Sequence, residues 1–133
     1  MRLSARERTA LQAMVELARH YGEGPTALSE VARLQALPLP YLERVAATLR
    51  RAGLLDSVRG ARGGYVLTRA PARISVSEVL TAVEGALMPV GCLTNGGPRC
   101  VRESACATRS VWQRVAGSLL QTLDSISLAD VLN

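Results

Sequence analysis

Two groups of side chains in this 133-residue chain have chemistry to offer. The first is a set of three cysteines within fifteen residues, Cys92-x7-Cys100-x5-Cys106. Thiolates act as nucleophiles, redox centres and soft metal ligands. An odd number of thiols argues against a structural disulfide framework. The spacing lacks the Cys-x2–4-Cys pair of common zinc modules. A [2Fe–2S] cluster takes four ligands, so three cysteines would need a fourth of another type. Three readings stay open on spacing alone: an iron–sulfur or zinc centre, a metal-free thiol switch, or cysteines with no special role. His20, the single histidine, falls at the far end of the first expected helix, where it suits the helix dipole better than a ligand set.

The second group is cationic. The formal net charge is +5, and its placement matters more than its size. Residues 1–70 hold eleven Arg against six acidic residues, whereas residues 71–133 hold five of each. The stretch 44–69 alone carries six Arg and one Asp. Such a surface can serve plain solubility, but a basic half beside a neutral half points to a polyanionic partner. One histidine, no acid–base pair and no substrate-sized second domain leave nothing for catalysis, so a non-enzymatic role is expected.

The elements that must position these residues are mostly helical. Ser4-x-x-Glu7 is a capping box opening a first helix with Leu11, Met14, Val15 and Ala18 inward, ended by Gly22 and Gly24-Pro25. A short helix spans 28–34, a turn contains Ala36, Leu37 and Pro38, and a third helix runs from Pro40 to about Ala52, followed by Gly53. In that third helix Leu42, Val45, Ala46 and Leu49 form one inward face. Tyr41, Glu43, Arg44, Arg50 and Arg51 are left on the other sides. Helix, tight turn and helix with hydrogen-bonding side chains is the geometry of a DNA recognition helix. Leu54–Val58 and Tyr65–Thr68 then read as two strands joined by Arg59-Gly60-Ala61-Arg62-Gly63-Gly64. A glycine-rich loop can also cradle a nucleotide phosphate, but this one joins strand to strand and lacks the Gly-Lys-Ser/Thr ending. A wing bringing Arg59 and Arg62 to a DNA backbone or minor groove is the better reading.

Ser75-x-x-Glu78 is a second capping box, opening a helix over 76–84. Residues 86–103 have no periodicity and hold two of the cysteines. A last long helix is expected from Ser104 to Ser125, on the order of 33 Å, before a final turn capped by Ser127. Val111, Trp112, Val115, Leu119, Leu120 and Leu123 make that helix apolar on more than one face. One small domain cannot cover both, so the helix is expected to pair with a second copy, the alternative being that it folds back over its own domain. No apolar run approaches the roughly 18 residues that cross a bilayer. The start runs straight into an amphipathic helix without a signal-peptide core, so a cytoplasmic location is expected.

Several stretches carry a likeness to a known family: Met1-Arg2-Leu3, Leu39-Pro40-Tyr41-Leu42-Glu43, Leu54-Leu55-Asp56-Ser57-Val58-Arg59-Gly60, Gly63-Gly64-Tyr65, Ser77-Glu78-Val79-Leu80, Val111-Trp112 and Ser127 to Leu132. The chain resembles the iron–sulfur-cluster regulator family of bacterial winged-helix repressors, which includes the cluster-biogenesis regulator and the nitric-oxide sensor. The resemblance covers nearly the whole chain, and the Val-Arg-Gly-x-x-Gly-Gly-Tyr wing is its most specific part. It implies a mainly α fold with a small β-hairpin wing: a winged helix-turn-helix over 1–85, a sensor loop over 86–106, and a dimerisation helix with terminal turn over 104–133. It implies a homodimer on partly palindromic double-stranded operators, with no membrane or small-molecule substrate. The residues for DNA are Tyr41, Glu43, Arg44, Arg50, Arg51, Ser57, Arg59 and Arg62. Those for dimerisation are Val111, Trp112, Val115, Leu119 and Leu123. The resemblance further implies a [2Fe–2S] cluster on Cys92, Cys100 and Cys106 that reports iron–sulfur, redox or nitric oxide status. Arg109 stands where the cluster-biogenesis regulator has a histidine ligand. Glu7 of the partner subunit is the nearest carboxylate for the fourth position, although Arg8 occupies the place where other members carry theirs. The alternative is the same regulator without a cluster, answering to thiol oxidation or to a protein or metabolite partner.

Overall fold

A computed structural model describes residues 4–84 and 108–132. The elements are α1 (Ala5–Arg19), α2 (Leu28–Gln35), α3 (Leu39–Arg51), β1 (Leu55–Val58), β2 (Gly64–Leu67), a 3-10 turn (Pro71–Arg73), α4 (Val76–Glu84), α5 (Arg109–Ser125) and α6 (Leu128–Leu132). The architecture is the expected one, mainly α with a two-stranded antiparallel wing. Leu55 pairs with Leu67 and Val58 with Gly64 across the hairpin.

Each helix start has an identifiable cause. At α1 the capping box forms in full: the Glu7 amide donates to Ser4 Oγ at 3.1 Å, and the Ser4 amide reaches Glu7 Oε1 at 3.5 Å. The second box forms only in half. The Glu78 amide donates to Ser75 Oγ at 3.2 Å, but the Glu78 carboxylate turns to Arg69 instead, at 2.6 Å. A third box opens α6, where Ser127 and Asp130 exchange bonds of 2.9 and 3.1 Å. Two backbone bonds tie the starts of α4 and α6: Val76 N–H donates to the Ile126 carbonyl and Leu128 N–H to the Ile74 carbonyl.

The core sits where α1, α3 and α4 meet. Met14, Val31, Leu42, Val45, Leu49, Leu55, Ile74, Val79 and Leu128 are buried there. The inward face of α3 is as expected. That of α1 is rotated: Ala10, Ala13, Met14, Leu17 and Ala18 are buried, while Leu11 and Val15 stay at the margin. Alanines on the buried stripe let neighbouring helices approach closely, so small side chains outrank large ones here. A second, smaller cluster joins Val76 and Leu80 of α4 to Leu11, Leu120, Leu123 and Ile126.

The last long helix begins at Arg109, after Thr108, rather than at Ser104. Its seventeen residues span about 25 Å. Among the described residues no helix is long and apolar enough to cross a membrane.

Candidate nucleic-acid interface

The helix-turn-helix is built around one backbone position. Ala36 closes α2 in the left-handed region, with φ of 54°. This lets the Leu37 amide donate back to the Ala32 carbonyl at 2.9 Å, satisfying a helix-end acceptor. Pro38 and Pro40 then fix the entry of α3.

On α3 the side chains sort by angle. Leu42, Val45, Ala46 and Leu49 are buried. Glu43, Arg44, Arg50 and Arg51 are exposed, and Tyr41 is half-buried against the core. The Arg44 guanidinium lies over the Tyr41 ring, 5.6 Å from its centroid. Arg51 donates to Thr48 Oγ1 at 3.2 Å, and that hydroxyl donates to the Arg44 carbonyl at 3.3 Å.

The wing is held from the side by a residue that sequence reasoning did not single out. Thr26, in the link between α1 and α2, exchanges backbone bonds of 2.9 and 3.0 Å with Tyr65 and so adds a third edge to the hairpin. Gly64, at φ of +155°, passes so close that a Cβ there would strike the Thr26 carbonyl. A Cβ on Gly63 would strike the Val58 carbonyl. Both glycines are therefore required by close backbone approach. Thr26 carries no sequence signal, because its bridge depends on where the chain folds back. Arg59 and Arg62 project from the tip, exposed, and Ser57 is exposed on β1 opposite Tyr65.

The electrostatics divide the arginines into two sets. Arg19 pairs with Glu16, Arg33 with Glu30 and Arg69 with Glu78. The Arg33 hydrogen bond holds the Glu30 carboxyl below its ordinary value, and the same bond raises Arg33. Arg6, Arg44, Arg50, Arg51, Arg59 and Arg62 have no carboxylate partner among the described residues. These six lie on α3, on the wing and at the start of α1, while Arg8, Arg73 and Arg114 also have no ion pair among the described residues. Six unpaired arginines thus gather on these elements.

The other expected sites are reached only in part. Cys92, Cys100 and Cys106 lie outside the described residues. Among the described residues no three His, Cys, Asp or Glu side chains stand together to hold a metal. Glu7 is 6% exposed, and its Oε2 is buried without a hydrogen-bond partner. His20 lies between two carboxylates, with Nδ1 at 3.1 Å from Glu23 and Nε2 at 3.4 Å from Glu16. On α5, Val111, Trp112 and Val115 are 50%, 37% and 43% exposed. Leu119 continues their groove beside Arg114 and Ser118. Leu123 instead packs against α4 of its own chain.

With this geometry in hand, comparison with known proteins is decisive. Residues 3–133 match the Rrf2 family, described as iron-dependent transcriptional regulators. The chain belongs to the Rrf2 family. It is a DNA-binding transcriptional regulator and not an enzyme, as the sequence resemblance implied. Among Rrf2 relatives, it is 37% identical to the helix-turn-helix-type transcriptional regulator IscR of Xenorhabdus nematophila over 132 residues, covering 99% of this chain and 79% of that protein. The structure of T. potens IscR superposes with a TM-score of 0.81 at 42% identity, over 99% of this chain and 86% of that one. The structure of CymR, the global cysteine regulator of B. subtilis, gives a TM-score of 0.84 at 36% identity, over 98% and 95%.

Proposed function

We propose that this regulator is a homodimer that reads a specific operator with α3 and the wing and senses its signal through a [2Fe–2S] cluster. The observation that carries the DNA reading is the unpaired arginine set. It gathers on the recognition helix, at the wing tip and at the start of α1. Glu43 and Tyr41 are the base readers of this scheme, with Arg44, Arg50, Arg51, Ser57 and Arg62 around them and Arg59 entering the minor groove. The stripe of exposed Val111, Trp112 and Val115 with half-buried Leu119 supports pairing of α5 with a second copy, since water is a poor neighbour for so much contiguous apolar surface. In this reading 1–85 is the DNA-binding domain, 86–106 the sensor loop and 104–133 the dimerisation segment.

The cluster would be held by Cys92, Cys100 and Cys106. The spare, buried Oε2 of Glu7 fits the role of an oxygen ligand from a partner subunit. When bound, such a cluster supplies a centre that reacts with oxidants or nitric oxide. The chain's own part is transmission. Ser4 Oγ, at the cap of α1, donates to the Glu84 carboxylate at 2.8 Å, at the last residue before the loop. Ser77 Oγ donates to Asp124 and joins α4 to α5. A change in the loop therefore has two polar routes, one to α1 and one to the dimer helix. The spacing of two recognition helices on DNA follows from both.

Two measurements test this. Protein purified without oxygen is expected to be coloured and to contain iron and sulfide. Operator binding should weaken with Arg59→Ala, with a flatter salt dependence, while Glu43→Ala mainly changes base preference. If both variants bind like the parent, the recognition-helix and wing assignment fails. A second reading, the same regulator without a cluster, is favoured by Arg109 at the head of α5 and by the likeness to a global cysteine regulator. A colourless protein that resists reconstitution, with DNA binding indifferent to Cys92→Ala, would select it.

A further inference from the structure

Between the first turn of α1 and the outer side of α3 runs a groove lined by Arg6, Tyr41, Arg44, Thr48 and Arg51, with Val45 and Ala47 among them. We infer that this groove seats a backbone phosphate of the operator, with Arg6 of α1 closing it from outside the helix-turn-helix. The inference rests on the DNA reading above and adds a contact from an element that reading does not use.

Three observations carry it. First, the groove gathers three guanidiniums with no carboxylate partner among the described residues, while Arg19, Arg33 and Arg69 each have one. Like charges on one small surface repel, and an anion between them relieves that repulsion. Second, the side chains are held in place by interactions that consume no anion. Arg44 rests on the Tyr41 ring, and Arg51 is tethered to Thr48. Each guanidinium has five N–H donors, so several stay available for phosphate oxygens. The acidic residue of the α1 first turn does not fill the gap. Glu7 lines a different groove, with Leu11, Gln12 and Val131.

Third, the angular arithmetic of α3 separates this groove from the base-reading flank. At about 100° per residue, Leu42, Val45, Ala46 and Leu49 cluster toward the core. Glu43 and Arg50 lie roughly a third of a turn away, and Ala47 falls between them and the groove, which it helps to line. Tyr41, Arg44, Thr48 and Arg51 lie another third of a turn on, facing Arg6. A helix set in the major groove has one flank on base edges and the other near a sugar–phosphate strand. Glu43 and Arg50 occupy the first flank and the arginine groove the second. Tyr41, at the junction of the two flanks, carries the Arg44 guanidinium on its ring in addition to its place among the base readers.

The test compares operator and random-sequence duplexes, each titrated over a range of salt with the full chain. Arg6→Ala is expected to weaken both duplexes by the same factor and to reduce the slope of log K against log salt by about 0.9 for each phosphate no longer bound. Arg6→Lys, which keeps the charge, should recover most of the slope, and neither variant should change thermal stability, since Arg6 is exposed. An unchanged slope in Arg6→Ala, with Arg59→Ala and Glu43→Ala still impaired, overturns the phosphate seat and leaves the DNA reading intact. Weaker binding confined to the operator duplex also overturns it, because it would make Arg6 a base reader. A parent protein with no preference for any operator sinks the DNA reading itself, and this inference with it.

Discussion

Helices α3 and α5 each contain seven apolar residues, yet α3 buries four of them and α5 one, Ala116. The difference lies in spacing and surroundings. In α3 the aliphatic residues fall on one stripe, and α1, α4 and β1 close over it. In α5 they spread around the helix. One side, Leu120 and Leu123, meets Val76 and Leu80, and the other side, from Val111 to Leu119, is left open by the described residues of its own chain. A helix that finishes its core alone can carry a specific binding face outward. In the proposed homodimer the open side of α5 is where a second copy docks, which makes that helix a natural point of control.

Four substitutions would break or sharpen this contrast. The largest effect on folding is expected from Leu49→Ala, which empties a fully buried position in α3 and should lower unfolding free energy by about 2–5 kcal/mol in a denaturant titration. Val115→Glu on α5 should do little to the fold of one chain. It should weaken self-association on the order of a hundredfold in sedimentation, by placing an unpaired carboxylate against apolar surface. A monodisperse parent monomer would remove the dimer from the proposal. Asp124→Ala is expected to cost about 1–2 kcal/mol, because Ser77 is buried and keeps only the neighbouring Ser75 hydroxyl at 3.2 Å. An Asp124→Ala protein as stable as the parent would mean that α5 is held to α4 by apolar packing alone. The smallest effect should be a gain: Ala36→Gly relieves the left-handed backbone before α3 and should stabilise by about 0.5–1 kcal/mol. A decrease there would show that Ala36 makes packing interactions worth more than its strain.

Much of the recognition half was legible locally. Ser4, Glu7, Pro40, Gly53 and the stripe Leu42, Val45, Ala46 and Leu49 define their elements through short-range rules of capping and periodicity. The wing was legible through its glycines. Less accessible were features set by packing at long range. Of the expected α1 stripe, Met14 and Ala18 are buried, whereas Leu11 and Val15 give way to Ala10, Ala13 and Leu17, because closeness of approach decides there. Ser75-x-x-Glu78 reads as a capping box, but only its amide half forms, and the Glu78 carboxylate pairs with Arg69, nine residues away. Leu123 was grouped with the dimer stripe and faces α4. Arg6 received no role, since only the crossing of α1 over α3 brings it to Arg44 and Arg51.

The winged helix-turn-helix, its basic character and the cysteine spacing were therefore determined by the sequence itself, because each depends on residues within a turn or two of one another. The tertiary structure decided which arginines are neutralised and which remain free, and where the wing is anchored. It also decided which side of α5 is finished within the chain. Those outcomes depend on contacts between residues far apart in sequence, such as Thr26 with Tyr65, Ser77 with Asp124 and Ser4 with Glu84, and no local pattern encodes such distances.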